Sequence, residues 1–174
     1  VKKEQPPYTH KLIRLAEESN LYKLMSEKQK DFLDVISPLN IEARYPTQKQ
    51  EIFESLNKDK CKDIIKKTEE LVKWIRKKLE EEYAKLVVSN MVVNKIILYG
   101  SYARGDFRKD SDIDVAVVVP RSSISDDILK DMAKLFKLRR SISNDIEPVL
   151  LIDEDDPSGF LESISQYGEV VYAR

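Results

Sequence analysis

The 174 residues include one cysteine, one histidine, one tryptophan and four glycines. The lone Cys61 excludes an internal disulfide and any metal site built from several thiolates. It lies among apolar positions of a helical pattern and reads as a packing residue. No run approaches the roughly 20 consecutive apolar residues that a membrane-spanning helix requires. The opening Val-Lys-Lys-Glu-Gln-Pro-Pro is basic but has no apolar stretch behind it, so a secretory signal is not expected there. A cytoplasmic, reducing location with no membrane attachment is the expectation. Excess positive charge is also lacking. The net charge is −1 and the pI is near 6.0, whereas a duplex-binding domain usually carries a basic face and a high pI. The sequence thus has no strong nucleic-acid signal.

A hydrophobic share of 41% and a charged share of 35% describe a globular chain with a Lys- and Glu-rich surface. Residues 1–90 hold 19 Lys and Arg against 16 Asp and Glu, and the remainder hold 11 against 15. No glycine occurs before Gly100, which suits a helical bundle with few positions needing positive φ. Thr9 is expected to cap a helix carrying Leu12, Ile13, Leu15 and Ala16. Ser26-Glu-Lys-Gln29 is a capping box before Phe32, Leu33, Val35 and Ile36, in a helix expected to stop before Pro38. Thr47-Gln-Lys-Gln50 is another, opening a short helix with Ile52, Phe53 and Leu56. A long helix is expected from about Asp59 to about Lys85. Its apolar positions, Ile64, Ile65, Leu71, Val72, Ile75 and Leu79 among them, recur at threes and fours.

The second half changes character. Lys95–Tyr99, Asp114–Val119, Ile146–Ile152 and Glu169–Tyr172 read as strands, with a helix between the second and third at about Ser125–Arg140. The expected architecture is α+β: an N-terminal helical bundle, residues 1–90, followed by a small α/β domain with a mixed sheet, residues 91–174.

Two of the four glycines, Gly100 and Gly105, lie in Leu98-Tyr-Gly-Ser-Tyr-Ala-Arg-Gly-Asp106, directly after the first strand. A glycine there lets backbone amides approach an anion, the N–H groups of a following helix favour phosphate, and the Ser101 hydroxyl adds a donor. By itself a Gly-Ser turn is more often structural. Asp112 and Asp114 then fall at i and i+2 on the next strand and project from one face, while Ile113, Val115 and Val117 point into a core. Paired carboxylates at the head of an apolar strand repel each other unless a cation relieves them, and magnesium prefers carboxylate oxygens together with substrate phosphates. An isolated Asp-x-Asp could be a solvated strand end. The Gly-Ser turn ten residues upstream weighs against that reading.

Gly-Ser, ten residues, Asp-Ile-Asp and an apolar strand resemble the DNA polymerase beta nucleotidyltransferase superfamily. Gly-Ser-Tyr-Ala-Arg-Gly-Asp with Ser-Asp-Ile-Asp is similar to its minimal prokaryotic branch, over about residues 91–174. The resemblance implies a nucleoside triphosphate, with ATP expected, whose β- and γ-phosphates meet Gly100 and Ser101. It implies two magnesium ions on Asp112 and Asp114, and a third carboxylate on a later strand, Glu147, with Asp145 the runner-up. Arg104 would neutralise triphosphate charge or pair with Asp106. Arg108 and Lys109 read as solvated charges. Pro148 cannot donate to a ladder, so its strand is expected at an edge or with its amide side open. The implied reaction moves a nucleoside monophosphate onto a hydroxyl of a protein or small molecule.

The helical half, through Thr9-His-Lys-Leu-Ile-Arg-Leu-Ala and Ile41-Glu-Ala-Arg-Tyr-Pro46, resembles the HEPN domain, with its first helix or two expected to be missing from this chain. HEPN ribonucleases have Arg, four to six intervening residues, then His. His10 precedes Arg14 instead, so ribonuclease activity is not expected and His10 reads as a polar residue at a helix start. Arg44 and Tyr45 read as structural or interdomain residues. Trp74 is expected to face the other domain or a second subunit of a homodimer. The competing expectation is an antitoxin-like or nucleotide-sensing module that binds NTP and a partner protein with little turnover.

Overall fold

The computed structural model describes residues 9, 11–42, 54, 56–108, 111–154 and 156–174. The box at Thr47–Gln50, Ile52 and Phe53 of the short helix, His10, Arg44, Tyr45 and Lys109 lie outside them. The chain is α+β and forms two compact units that divide between Arg76 and Lys77.

The first unit contains α1 (Leu12–Glu18), α2 (Glu27–Glu42) and the beginning of α3 (Lys58–Asn90). Thr9 is not the N-cap of α1. Lys11 holds that position, and the Thr9 hydroxyl instead accepts the Lys11 N–H at 3.2 Å. The capping box at Ser26 forms as its spacing requires: Ser26 Oγ accepts from Gln29 N at 3.4 Å and Gln29 Oε1 accepts from Ser26 N at 2.9 Å. Asn57 opens α3, its Oδ1 accepting from Lys60 N at 2.9 Å.

α2 does not stop before Pro38 but runs through it to Glu42. A proline inside a helix removes one i→i−4 bond and crowds one carbonyl, a cost of about 3 kcal/mol. Against it stands the apolar face that precedes Pro38. Phe32 and Leu33 are buried with Met25 and Leu71, and Ile36 packs beside them. At about 1.5–3 kcal/mol for each fully buried large apolar side chain, that face stabilises α2 ahead of Pro38, and the helix continues through the proline to Glu42. Trp74 packs half-buried against this same cluster of its own unit.

The second unit is a four-stranded mixed sheet of β1 (Lys95–Leu98), β2 (Ile113–Val119), β3 (Ile146–Ile152) and β4 (Glu169–Ala173), in the order β3-β2-β1-β4. β1 is antiparallel to β2 and β4, whereas β2 and β3 are parallel. Their parallel pairing requires a crossover, supplied by α5 (Ile128–Arg139) after the short α4 (Gly100–Arg104). β3 lies at a sheet edge, which accommodates Pro148 as expected.

Strand alternation gives the sheet two apolar faces. Ile96, Leu98, Ile113, Val115, Val117 and Ile146 share one with Leu135 of α5 and with Tyr83, Ala84 and Val87 of α3. Ile97, Ala116 and Val118 form the other with Ile164 of α6 (Phe160–Tyr167). α3 therefore contributes to two cores, giving Leu71 to the first unit and Tyr83 and Val87 to the second. Its C-terminal end is capped by Lys134 Nζ, which donates to Asn90 O at 2.6 Å. Among the described residues no helix is long and apolar enough to cross a membrane.

Candidate active site

β1 ends at Leu98, and Tyr99 N donates to Asp114 O at 3.0 Å, tying the turn to the head of β2. The next residue, Gly100, begins α4 at φ +68°. A Cβ at Gly100 would overlap the Asp114 carboxylate, lying 2.7 Å from its Cγ. Both the left-handed backbone and the close approach therefore require glycine. Ser101 follows, half-buried in the first turn, where amide N–H groups have no partner within the helix. The loop after α4 is held by short contacts. Tyr102 stacks on Phe107 at 4.5 Å, Asp106 N donates to Ser101 O at 3.1 Å, and Arg108 N donates to Ser111 Oγ at 2.8 Å.

Asp112 is exposed just before β2, and Asp114 is half-buried within it. Asp114 is the register partner of Glu147 on the parallel strand β3. Two residues further along each strand, Ala116 and Val149 lie on the α6 side of the sheet. By the same alternation Asp114 and Glu147 project from that side, at its end. Burial, Glu147 and Asp112, in that order, raise the Asp114 pKa above its ordinary 3.8, and Arg104 opposes them. Asp145 precedes β3. It is exposed, and its backbone oxygen accepts from Ile113 N at 2.7 Å.

Arg104, at the end of α4, pairs with Asp106 at 3.3 Å and lies over the Tyr167 ring at 5.7 Å. Its side chain remains about half exposed, so the ion pair itself adds little stability. Tyr99 meets Phe160 edge-on at 5.4 Å. Burial, then Asp114, Glu147 and Tyr167, push its phenol up to about 12, so it stays neutral at physiological pH.

The donor set suits a hard divalent cation. It consists of carboxylate oxygens, with Asp114 raised in pKa first by burial and then by its acidic neighbours, and Arg104 as a partial counter-charge. Among the described residues, no three His, Cys, Asp or Glu side chains stand gathered closely enough to hold an ion as they are arranged.

Tyr99, Tyr167 and Phe160 were not singled out from the sequence. Tyr99 adjoins the Gly-Ser turn, a local signal that could have found it. Tyr167 lies more than sixty residues from Arg104 and meets it only through the fold.

The polymerase beta nucleotidyltransferase family matches residues 81–174, and the HEPN domain matches residues 1–79. A protein of Methanocaldococcus jannaschii, provisionally named a protein adenylyltransferase, is 32% identical over 80 residues, covering 44% of this chain and 76% of that protein. A provisionally named nucleotidyltransferase from Sulfolobus solfataricus has a solved structure that superposes with a TM-score of 0.47 at 22% identity, over 60% of this chain and 86% of that one. A toxin–antitoxin solved with AMP-PNP superposes with a TM-score of 0.42 at 25% identity, over 54% of this chain and 73% of that one. The chain belongs to the polymerase beta nucleotidyltransferase family and is a nucleotidyltransferase. Membership implies a nucleoside triphosphate as substrate.

Proposed function

We propose that this chain is a magnesium-dependent transferase that moves AMP from ATP onto a hydroxyl of a protein or small molecule. The observation carrying this reading is the pairing of Asp114 with Glu147 across β2 and β3, with Gly100 packed against the Asp114 carboxylate. The name borne by the M. jannaschii relative favours a protein hydroxyl as acceptor and adenylate as the group transferred.

In this reading Gly100 and Ser101 hold the β- and γ-phosphates through amide N–H groups and the serine hydroxyl. Arg104 offsets triphosphate charge while retaining Asp106 as a partner. Asp112, Asp114 and Glu147 would hold two magnesium ions. When bound, these ions would polarise the α-phosphate, lower the acceptor's pKa and neutralise the leaving group. The acceptor oxygen forms a bond to the α-phosphorus in line, the bond to the bridging oxygen breaks, and pyrophosphate leaves. Glu147, exposed on the edge strand, takes the acceptor's proton or would help hold a bound ion. No side chain of the enzyme acts as a nucleophile.

Incubation with α-labelled ATP, magnesium and cell extract should label an acceptor. EDTA, or Asp112→Asn with Asp114→Asn, should abolish that labelling. Full transfer by the double variant would end this reading. A rate loss in Asp145→Asn but not in Glu147→Gln would move the third carboxylate to Asp145. Metal-dependent nucleotide binding with no acceptor labelled would favour an interaction module instead.

A further inference from the structure

We propose that Tyr167 is a positioning residue for nucleotide binding, whose ring holds the Arg104 guanidinium at the mouth of the phosphate turn. This inference rests on the placement of Arg104 at the triphosphate proposed above. Three features of the fold carry it.

Tyr167 is the last residue of α6, and both ends of that helix are fixed. At the N-terminal end Asp156 accepts from Phe160 N at 3.0 Å and from Leu161 N at 2.7 Å. At the C-terminal end Gly168 N donates to Ile164 O at 2.8 Å. A Cβ on Gly168 would lie 2.5 Å from Ile97 Cγ2 and 2.9 Å from Leu98 O, so the chain after Tyr167 presses directly onto β1. Between these ends Ile164 is fully buried. The backbone that carries the ring is therefore set in place by hydrogen bonds and core packing before any ligand arrives.

Arg104 lies over that ring at 5.7 Å, and Asp106 holds its Nε side at 3.3 Å. The two contacts come from different elements, one from the loop after α4 and one from α6. Arginine loses up to about 2 kcal/mol of rotamer freedom when immobilised. An exposed arginine held by one surface ion pair alone would still sample most of that freedom. A fixed aromatic face restricts the guanidinium to one side of the turn while leaving its remaining N–H groups to an incoming anion.

Tyr167 also remains 39% exposed, although α6 has a fully buried position in Ile164. Its ring is not needed to fill the core, which separates its contact with Arg104 from simple packing.

A double-mutant cycle on the full chain tests the proposal, with the affinity for a non-hydrolysable ATP analogue in magnesium read by calorimetry. Arg104→Ala should weaken binding at least tenfold, the effect of losing a charge-assisted phosphate contact. Tyr167→Ala should weaken it about three- to fivefold, the range of an exposed cation–π contact. Tyr167→Phe should recover the ring's share of that loss but not the share of the hydroxyl, which also hydrogen-bonds Arg104. In the Arg104→Ala background, Tyr167→Ala should add nothing. If Tyr167→Ala lowers the melting temperature, Tyr167→Leu keeps the apolar bulk and carries the cycle instead. Wild-type affinity in the Tyr167 variants, or losses that multiply in the double variant, would overturn the role of Tyr167 and leave that of Arg104 standing. Unchanged affinity in Arg104→Ala would overturn both, while the carboxylate assignment keeps its own test in labelled transfer.

Discussion

Gly100 joins two demands that only glycine meets together. Its φ of +68° is unfavourable for any side chain, and the space where a Cβ would stand is occupied by the Asp114 carboxylate. Backbone strain of this kind costs about 1–3 kcal/mol, before any displacement of Asp114 is counted. Gly100→Ala should therefore lower stability by at least about 1 kcal/mol in denaturant melts, and it should abolish ATP binding measured on the fraction that stays folded. Native-like affinity in that variant would show that the turn can open without loss of function.

Asp114 gives a prediction in the pH dependence of the metal-free protein. Its pKa is raised in the fold, first by burial and then by Glu147 and Asp112. The charged form is thus less favourable folded than unfolded. The resulting penalty is absent below the ordinary value of 3.8, grows as pH rises above it, and is complete beyond the raised value. Asp114→Asn should stabilise the protein in EDTA at neutral pH, with the gain shrinking towards zero as the pH falls below 3.8. Thermal melts of both proteins from acid to neutral pH would show it. A gain that grew on acidification would contradict the assigned sign.

Among the elements, α6 links stability to the site. Ile164 is fully buried against Ile97, Ala116 and Val118, while Phe160 of the same helix meets Tyr99 beside the Gly100–Ser101 turn. Truncating a buried isoleucine typically costs about 2–5 kcal/mol. Ile164→Ala should cost an amount in that range and should also weaken ATP binding, because α6 supports Tyr99 and the ring beneath Arg104. Normal affinity despite the stability loss would separate the helix from the site. Along α2, Pro38 shows the reverse relation between local rule and outcome. A residue that normally ends helices is carried inside one, after a turn whose apolar side chains are buried.

At the scale of the whole chain, α3 is the element that connects the two compact units. They divide between Arg76 and Lys77, and the two family matches end and begin at residues 79 and 81. Tyr83 and Val87 are fully exposed to no solvent at all, being buried in the core of the sheet unit. Tyr83 also donates to Leu135 O at 3.3 Å. We expect a fragment of residues 77–174 to fold and bind ATP with magnesium. A fragment of residues 91–174, cut at the end of the long helix, should fail to melt cooperatively, because it loses Tyr83, Ala84 and Val87 together. Cooperative unfolding of the shorter fragment would show that the helix is dispensable to that core.

The sheet and the outline of the site were legible in the sequence because their signals are local. A β-branched strand runs into a Gly-Ser turn that begins a short helix, and Asp114 stands at the head of the next apolar strand with Asp112 just before it. The alternation that sends Ile113, Val115 and Val117 into one core follows from the period of a strand. What the sequence could not determine is which residues meet across strands and helices. The registration of Asp114 against Glu147, the contact of Tyr167 with Arg104, the passage of α2 through Pro38 and the sharing of α3 between two cores all depend on partners far apart in the chain. Local propensity is worth tenths of a kcal/mol to a few kcal/mol at each position. Burial of whole side chains against distant elements is worth as much or more at many positions at once. Where the two disagree, only the packed structure decides.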